Sequence, residues 1–380
     1  MKIVADRNIP YLQEAFGALG DVSTFAGREI TPEQVRDADL VIVRSVTRVD
    51  ERLLGDSSVR FVGTATIGTD HVDVDYLRRA GIGFSNAAGS NANSVAEYVV
   101  SALVTIARKY GMDLTEQSIG IIGAGNVGSK VREKARALGM KTVLNDPPLA
   151  RKTGDPVYRP LSEALDTDII SLHVPLTDLG PDATRNMVDR EFLDSTRQGA
   201  ILINTSRGAV IVERELEIEL RTGGITGAVL DVWREEPDIN VDLARLADIA
   251  TPHIAGYSLD GKAEGTQMIL QAACQHLNRP VPIEVTKLLP PPDVPELTLN
   301  TEKRADTVVR ETVRRIYDVR RDDAELREGL ELPSGQRGDH FDRLRREYGD
   351  RREFHNTTLQ IERCPQPARD ALIGLGFRLP

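Results

Sequence analysis

Six residues, Gly123-Ala124-Gly125-Asn126-Val127-Gly128, stand between the apolar run Ser118–Ile122 and a helical run that begins near Asn126. Strand, glycine turn and helix in that order constrain the chain more than any other feature in it. The first glycine permits a tight turn, the second lets backbone N–H groups approach a pyrophosphate, and the third allows helix to pack closely on strand. The helix N-terminus then offers unpaired N–H groups to an anion. Asp146 lies eighteen residues beyond Gly128 and ends the next strand candidate, Lys141–Asn145. Acid at that distance is the confirmation a glycine motif of this kind requires. A carboxylate there holds the 2′- and 3′-hydroxyls of an adenosine ribose and repels a 2′-phosphate. Pro147 and Pro148 occupy the place where an NADP site would offer an arginine, and Arg151 is the nearest cation. The motif therefore predicts a cofactor site selective for NAD, with Gly123, Gly125, Asn126, Val127, Gly128 and Asp146 in contact with it.

Charge and composition narrow the partners. With 58 acidic and 48 basic residues the formal charge is −10, which disfavours nucleic acid. No apolar run approaches the ~20 residues of a membrane span. The start, Met1-Lys2-Ile3-Val4-Ala5-Asp6, resembles a buried strand and lacks the apolar stretch of a signal peptide. Cys274 and Cys364 are the two cysteines and show no metal-ligand spacing. A cytoplasmic protein without a structural metal, nucleic acid or membrane partner is expected.

The 380 residues suffice for two or three domains. Short apolar runs at Lys2–Ala5, Leu40–Val43 and Phe61–Thr64 alternate with helical segments such as Tyr11–Leu19 and Tyr76–Ala80, the rhythm of a parallel α/β unit. Ser94–Lys109 is a long helical stretch, apolar on most faces. Further strands are expected at Ile169–Leu172, Ala200–Asn204, Ala228–Leu230 and Ile249–Ala250. After a proline-rich passage between Pro280 and Pro295 the chain becomes dense in arginine and acid, with helical periodicity around Val308–Tyr317 and a strand near Thr357–Ile361. The fold class predicted is α/β: two doubly wound parallel-sheet (Rossmann-like) domains with a cleft between them, plus a small carboxyl-terminal α+β domain. Its modest core points to pairing with a second copy.

Chemistry-bearing residues cluster at expected strand ends. Asn204-Thr205-Ser206-Arg207-Gly208, Asp231-Val232-Trp233 leading to Glu236-Pro237, and Thr251-Pro252-His253-Ile254-Ala255-Gly256 offer an arginine, carboxylates and an imidazole. Oxidation of a 2-hydroxy acid needs a clamp for its carboxylate, a base for its hydroxyl proton and a hydride acceptor. The planar guanidinium suits the first and histidine the second. A carboxylate beside the histidine favours the imidazolium and fixes the ring.

These islands, with the Gly123–Gly128 turn, Asp146 and His173-Val174-Pro175-Leu176-Thr177, resemble the D-isomer-specific 2-hydroxyacid dehydrogenases across roughly residues 1–285. The resemblance implies that Arg207 orients the substrate, that His253 takes the C2 hydroxyl proton, and that Glu236 partners His253. It also implies cofactor contacts from Val174, Ser206, Asp231 and Gly256. Val43-Arg44-Ser45-Val46-Thr47, the stretch Gly63–Asp73, the loop His253–Lys262 and the segments Tyr317–Asp323 and Phe341–Phe354 resemble a branch of that family acting in the vitamin B6 pathway. That likeness implies NAD-dependent oxidation of 4-phospho-D-erythronate, with Ser45, Thr66 and Tyr257 touching substrate and a homodimer formed through the carboxyl-terminal domain. Arg44 is the expected phosphate ligand, joined by an arginine from a second copy's run Arg345–Arg352. The implied layout is a discontinuous substrate-binding domain of residues 1–92 and 255–284, an NAD-binding domain of residues 93–254, and a dimerisation domain of residues 285–380. A phosphoglycerate or 2-keto acid dehydrogenase of the same family and an NADH-sensing scaffold are the alternatives.

Overall fold

The computed structural model describes residues 1–380 and divides the chain into two compact units, Met1–Asn91 with Ser258–Pro291, and Ala92–Tyr257 with Pro292–Pro380. The first unit carries a parallel sheet of β1 (Lys2–Asp6), β2 (Asp21–Phe25), β3 (Leu40–Val43), β4 (Phe61–Thr64) and β5 (Gly83–Asn86). The strands run in the order β2-β1-β3-β4-β5. β3 reads Leu-Val-Ile-Val and is buried throughout, the run expected of a strand covered on both faces. Ile3, Leu40, Ile42 and Phe61 pack on one face with Ile269 and Leu270 of the helix Leu259–His276, and Val4, Val41, Val43 and Val62 fill the other.

The second unit holds a six-stranded parallel sheet: β6 (Ser118–Ile122), β7 (Lys141–Asn145), β8 (Ile169–Leu172), β9 (Ala200–Asn204), β10 (Ile225–Leu230) and β11 (Ile249–Ala250). Their order is β11-β10-β9-β8-β6-β7. The direction of winding reverses between β6 and β8, so a crevice opens beyond their carboxyl ends, the place where such sheets bind ligands. The helix Ala92–Tyr110 packs on this sheet through Val95, Val99, Leu103 and Ile106, all buried.

The carboxyl-terminal segment adds a parallel pair, β12 (Glu296–Asn300) and β13 (Thr358–Arg363), and four helices of nine residues or more. The sequence expectation rested on a core too small to stand without a second copy. Within one chain, however, Val308, Val313, Tyr317, Phe354, Leu372 and Phe377 are buried in the same cluster as the helix Ala92–Tyr110 and strand β6. The Phe354 and Phe377 rings stack with centres 4.8 Å apart. No helix is long and apolar enough to cross a membrane.

A buried charge cluster ties this segment to that helix. Glu97 accepts the Phe354 N–H at 3.0 and 3.1 Å, and Lys134 stands 3.7 Å from it. Ser94 donates to Glu353 at 2.7 Å. Burial, reinforced by the Glu353 charge, pushes the Glu97 carboxyl up to about 8, with Lys134 and Arg351 opposing. The folded chain thus holds a proton that the unfolded chain releases above its ordinary value of 4.5. Stability falls as pH rises from there toward about 8 and levels beyond it. Relative to Glu97→Gln, the wild type is expected to lose melting temperature across that window in buffered thermal scans; parallel curves for the two proteins would remove Glu97 from this role.

Candidate active site

Every chemistry-bearing island of the second unit lies at the carboxyl edge of its sheet. After β6 the backbone turns at Gly123, with φ +88°, and the Gly123 N–H donates to Asn145 O at 2.8 Å. A Cβ on Gly128 would stand 1.9 Å from Gly123 O, so the helix Asn126–Ala137 begins closer to the strand than any side chain permits. A Cβ on Gly125 would meet nothing within 4 Å. Gly125 and Asn126 are exposed and Val127 half-buried. The turn is therefore tight where it touches protein and open where a pyrophosphate would lie, a cradle that fits a dinucleotide. Asp146 accepts the Ala124 N–H at 2.9 Å and caps the next helix through Leu149 N at 2.9 Å. The acid at the end of β7 is thus tied directly to the glycine turn. Arg151, the first cation after Asp146, is paired with Asp182.

The second cluster is built around Asp231 at the end of β10. Its side chain, 1% exposed, accepts from Thr251 Oγ1 at 2.7 Å, Ile254 N at 2.8 Å and Ala255 N at 3.0 Å. The His253 N–H donates to Asp231 O at 2.7 Å. These bonds hold His253 in the left-handed region at φ +58°, a conformation a non-glycine residue keeps only when its surroundings over-determine it. Trp233 Nε1 adds a bond to Thr251 O at 3.0 Å, and Trp233 N donates to Glu236 Oε1 at 2.9 Å. Glu236 Oε2 then meets His253 Nδ1 at 2.8 Å. Burial alone would raise the Glu236 carboxyl, but the His253 charge and these bonds outweigh it and hold it below the usual carboxylate value. With Nδ1 taken, Nε2 is the nitrogen left for a substrate proton.

Arg207 follows β9. Gly208 brings the two loops together: a Cβ there would lie 1.9 Å from the Trp233 carbonyl carbon. Asn204 organises the turn, accepting from Ser206 N at 3.0 Å and Ser206 Oγ at 2.7 Å while its amide donates to Arg207 O at 3.1 Å. Arg207 Nη1 donates to Ser206 O at 2.8 Å. Ser206 and Asp231, the expected cofactor residues, also shape these loops through the same bonds. His173, after β8, bonds Ser171 and Thr205 and is driven down to about 3 by burial, so it stays neutral. Val174 and Gly256 are half-buried at the same edge.

Of the residues expected to touch substrate, Tyr257 belongs to this unit, whereas Arg44, Ser45 and Thr66 lie at the carboxyl ends of β3 and β4 in the other. Thr66 Oγ1 bonds Thr64 Oγ1 at 2.7 Å, and Thr64 in turn bonds His71 at 3.0 Å. Two residues go beyond the sequence reading. Asp6, at the end of β1, is fully buried and one of its carboxylate oxygens has no partner. Arg345 reaches the Tyr257 hydroxyl of its own chain at 3.4 Å. The helix Ser334–Arg346 belongs to the second unit and packs within it through Phe341.

Residues 90–255 match the family model of the D-isomer specific 2-hydroxyacid dehydrogenase NAD binding domain, and residues 288–376 match a domain of unknown function. An erythronate-4-phosphate dehydrogenase of Hahella chejuensis is 44% identical, covering 100% of this chain and 99% of that protein. One from Cronobacter sakazakii is 45% identical over 99% of this chain and 98% of its own. Among solved structures, the D-lactate dehydrogenase of Aquifex aeolicus, complexed with NAD and lactic acid, is 25% identical with a TM-score of 0.60, covering 73% of this chain and 96% of that one. The NAD+-bound 3-phosphoglycerate dehydrogenase of Entamoeba histolytica is 25% identical with a TM-score of 0.63, covering 75% and 98%. The parallel sheet with its glycine turn, the His253–Glu236 pair and near-full-length identity converge: this chain belongs to the D-isomer-specific 2-hydroxyacid dehydrogenases, and within them to the erythronate-4-phosphate dehydrogenases.

Proposed function

We propose that the chain oxidises 4-phospho-D-erythronate to (R)-3-hydroxy-2-oxo-4-phosphooxybutanoate with NAD, a step toward pyridoxal 5′-phosphate. The observation that carries the chemistry is the 2.8 Å pair of His253 Nδ1 and Glu236 on the sheet edge that also bears the glycine turn. NAD, when bound, supplies the hydride acceptor for the C2 hydrogen. Gly123–Gly128 would cradle its pyrophosphate and Asp146 would hold its ribose hydroxyls, with Val174, Ser206, Asp231 and Gly256 beside it. Arg207 clamps the substrate carboxylate and the C2 oxygen with its planar donors. His253 Nε2 takes the hydroxyl proton as the C2–O bond becomes a carbonyl. Glu236, kept anionic, balances the imidazolium that forms and prevents the ring from turning. Ser45, Thr66, Tyr257 and Arg44 complete the reading as substrate ligands.

The deciding experiment follows NADH formation on 4-phospho-D-erythronate beside 3-phosphoglycerate, D-lactate and D-glycerate. Strong preference for the four-carbon phosphate is expected. Preference for another acid keeps the dehydrogenase and overturns the substrate, and silence on all four makes the chain an NADH-binding scaffold. The likeness also supports a cytoplasmic homodimer assembled through residues 285–380. Light scattering at micromolar concentration is expected to give twice the chain mass of 41.8 kDa, and a monomer would refute that role.

A further inference from the structure

Arg345 lies in the last turn of the helix Ser334–Arg346, inside the segment of residues 288–376 that the second family model covers. Its Nη2 donates to the Tyr257 hydroxyl over 3.4 Å, near the outer limit of a hydrogen bond. Its Nε is buried and has no partner. Nε and Nη2 form one edge of the guanidinium, so this edge carries one donor lightly used and one unused. An N–H shut from water without an acceptor is costly, and such a group in a folded protein calls for an explanation. The Phe341 ring holds the guanidinium 5.8 Å from its centre, and the Tyr348 ring meets Tyr257 edge-on at 5.7 Å, so both partners are braced.

Tyr257, whose N–H donates to Ile254 O at 2.8 Å, ties this edge to the histidine loop. Burial works against the Arg345 cation, yet Tyr257 and Glu236 beside it hold its pKa above the usual arginine value. Arg345 in turn helps to keep Glu236 ionised. A hydroxy acid with one carboxylate needs one arginine, and the reading above gives that task to Arg207. A substrate whose other end is a phosphate monoester, a dianion, calls for cations beyond Arg207; Arg44 is one expected, and the side-on guanidinium fork of Arg345 matches two phosphate oxygens.

We propose, on the basis of that reading, that Arg345 and Tyr257 form the phosphate subsite: the Nε–Nη2 edge and the phenol hydroxyl hold the terminal phosphate monoester and set the preference for phosphorylated over unphosphorylated four-carbon acids. The carboxyl-terminal segment thereby acts as a specificity element as well as a packing one.

The test compares wild type, Arg345→Ala, Arg345→Lys and Tyr257→Phe. Kinetics are measured on 4-phospho-D-erythronate and D-erythronate, and protection by inorganic phosphate is read as a thermal shift of the NADH-bound protein. Arg345→Ala is expected to raise KM for the phosphorylated acid about 10- to 10²-fold, the scale of a hydrogen bond between charged groups. The ratio of kcat/KM between the two acids should fall by a similar factor, with lysine restoring only part because it offers a point charge in place of a fork. Inorganic phosphate should protect the alanine variant at least tenfold more weakly. An unchanged ratio, equal losses on both acids, or undiminished phosphate protection would each overturn the subsite. Tyr257→Phe carries the same comparison if the alanine variant fails to fold. Should wild type oxidise neither acid, the dehydrogenase reading fails by itself, and the phosphate-protection arm still decides Arg345.

Discussion

His253→Ala is expected to lower kcat about 10²- to 10⁴-fold, the range that a positioned general base contributes. The expectation rests on how completely the protein commits itself to this ring. Asp231 spends three side-chain hydrogen bonds and one backbone bond on the loop from Thr251 to Ala255, and Trp233 adds another. Glu236 occupies Nδ1 at 2.8 Å. Because Glu236 works only through the imidazole, Glu236→Gln should lose activity by itself yet add little in the double variant with His253→Ala. Residues that act as one unit are strongly non-additive, and a double-mutant cycle on kcat reads this directly. Fully additive losses would mean that Glu236 touches the substrate independently. A near-normal rate for His253→Ala at every pH would end the assignment of the base.

The parts of this site visible in the sequence share a cause. A glycine turn, an acid at the next strand end and loops placed after apolar runs are local patterns, and the parallel sheet then brings their carboxyl ends to one edge without further instruction. That is why the Gly123–Gly128 turn and the islands around Arg207, Glu236 and His253 are legible in the sequence, their roles following from the family resemblance. What escaped depends on long-range packing. Asp231 reads as a cofactor ligand from the family resemblance; that it also anchors the histidine loop shows only in the three donors from residues 251–255. Arg345 sits in a run of mixed charge that looks solvated, and nothing local says that its helix delivers it to Tyr257. Strand β2, Asp-Val-Ser-Thr-Phe, is an edge strand with no buried residue, so it lacks the apolar run that marks its neighbours. β5 is only half-buried, and β12 begins immediately after the proline passage that argues for irregular chain. The carboxyl-terminal core looked too small alone because the residues that complete it lie more than 200 positions earlier, in Ala92–Tyr110.

The two glycines that flank Asn126-Val127 should respond in opposite ways to the same substitution. At Gly125 a side chain enters open space, since nothing lies within 4 Å of its Cβ position. Gly125→Val should therefore leave the melting temperature close to wild type while filling the volume that the pyrophosphate needs. Affinity for NADH, titrated by fluorescence, is expected to drop at least tenfold, about 1.4 kcal/mol. At Gly128 the Cβ position lies 1.9 Å from Gly123 O and 3.2 Å from the Ile121 side chain. Backbone carbonyl oxygen cannot rotate aside, so Gly128→Val forces helix and strand apart. Overpacking of this kind costs about 1–3 kcal/mol and occasionally more, which lowers the melting temperature by several degrees in a unit of this size. NADH affinity falls there as well, because the shifted helix no longer aims its N–H groups at the phosphate. The contrast isolates the cofactor cradle from the packing that supports it. If Gly125→Val bound NADH as tightly as wild type, the open space beside it would not be where the pyrophosphate lies. If Gly128→Val kept full stability, the close approach of helix to strand would not be what fixes the turn.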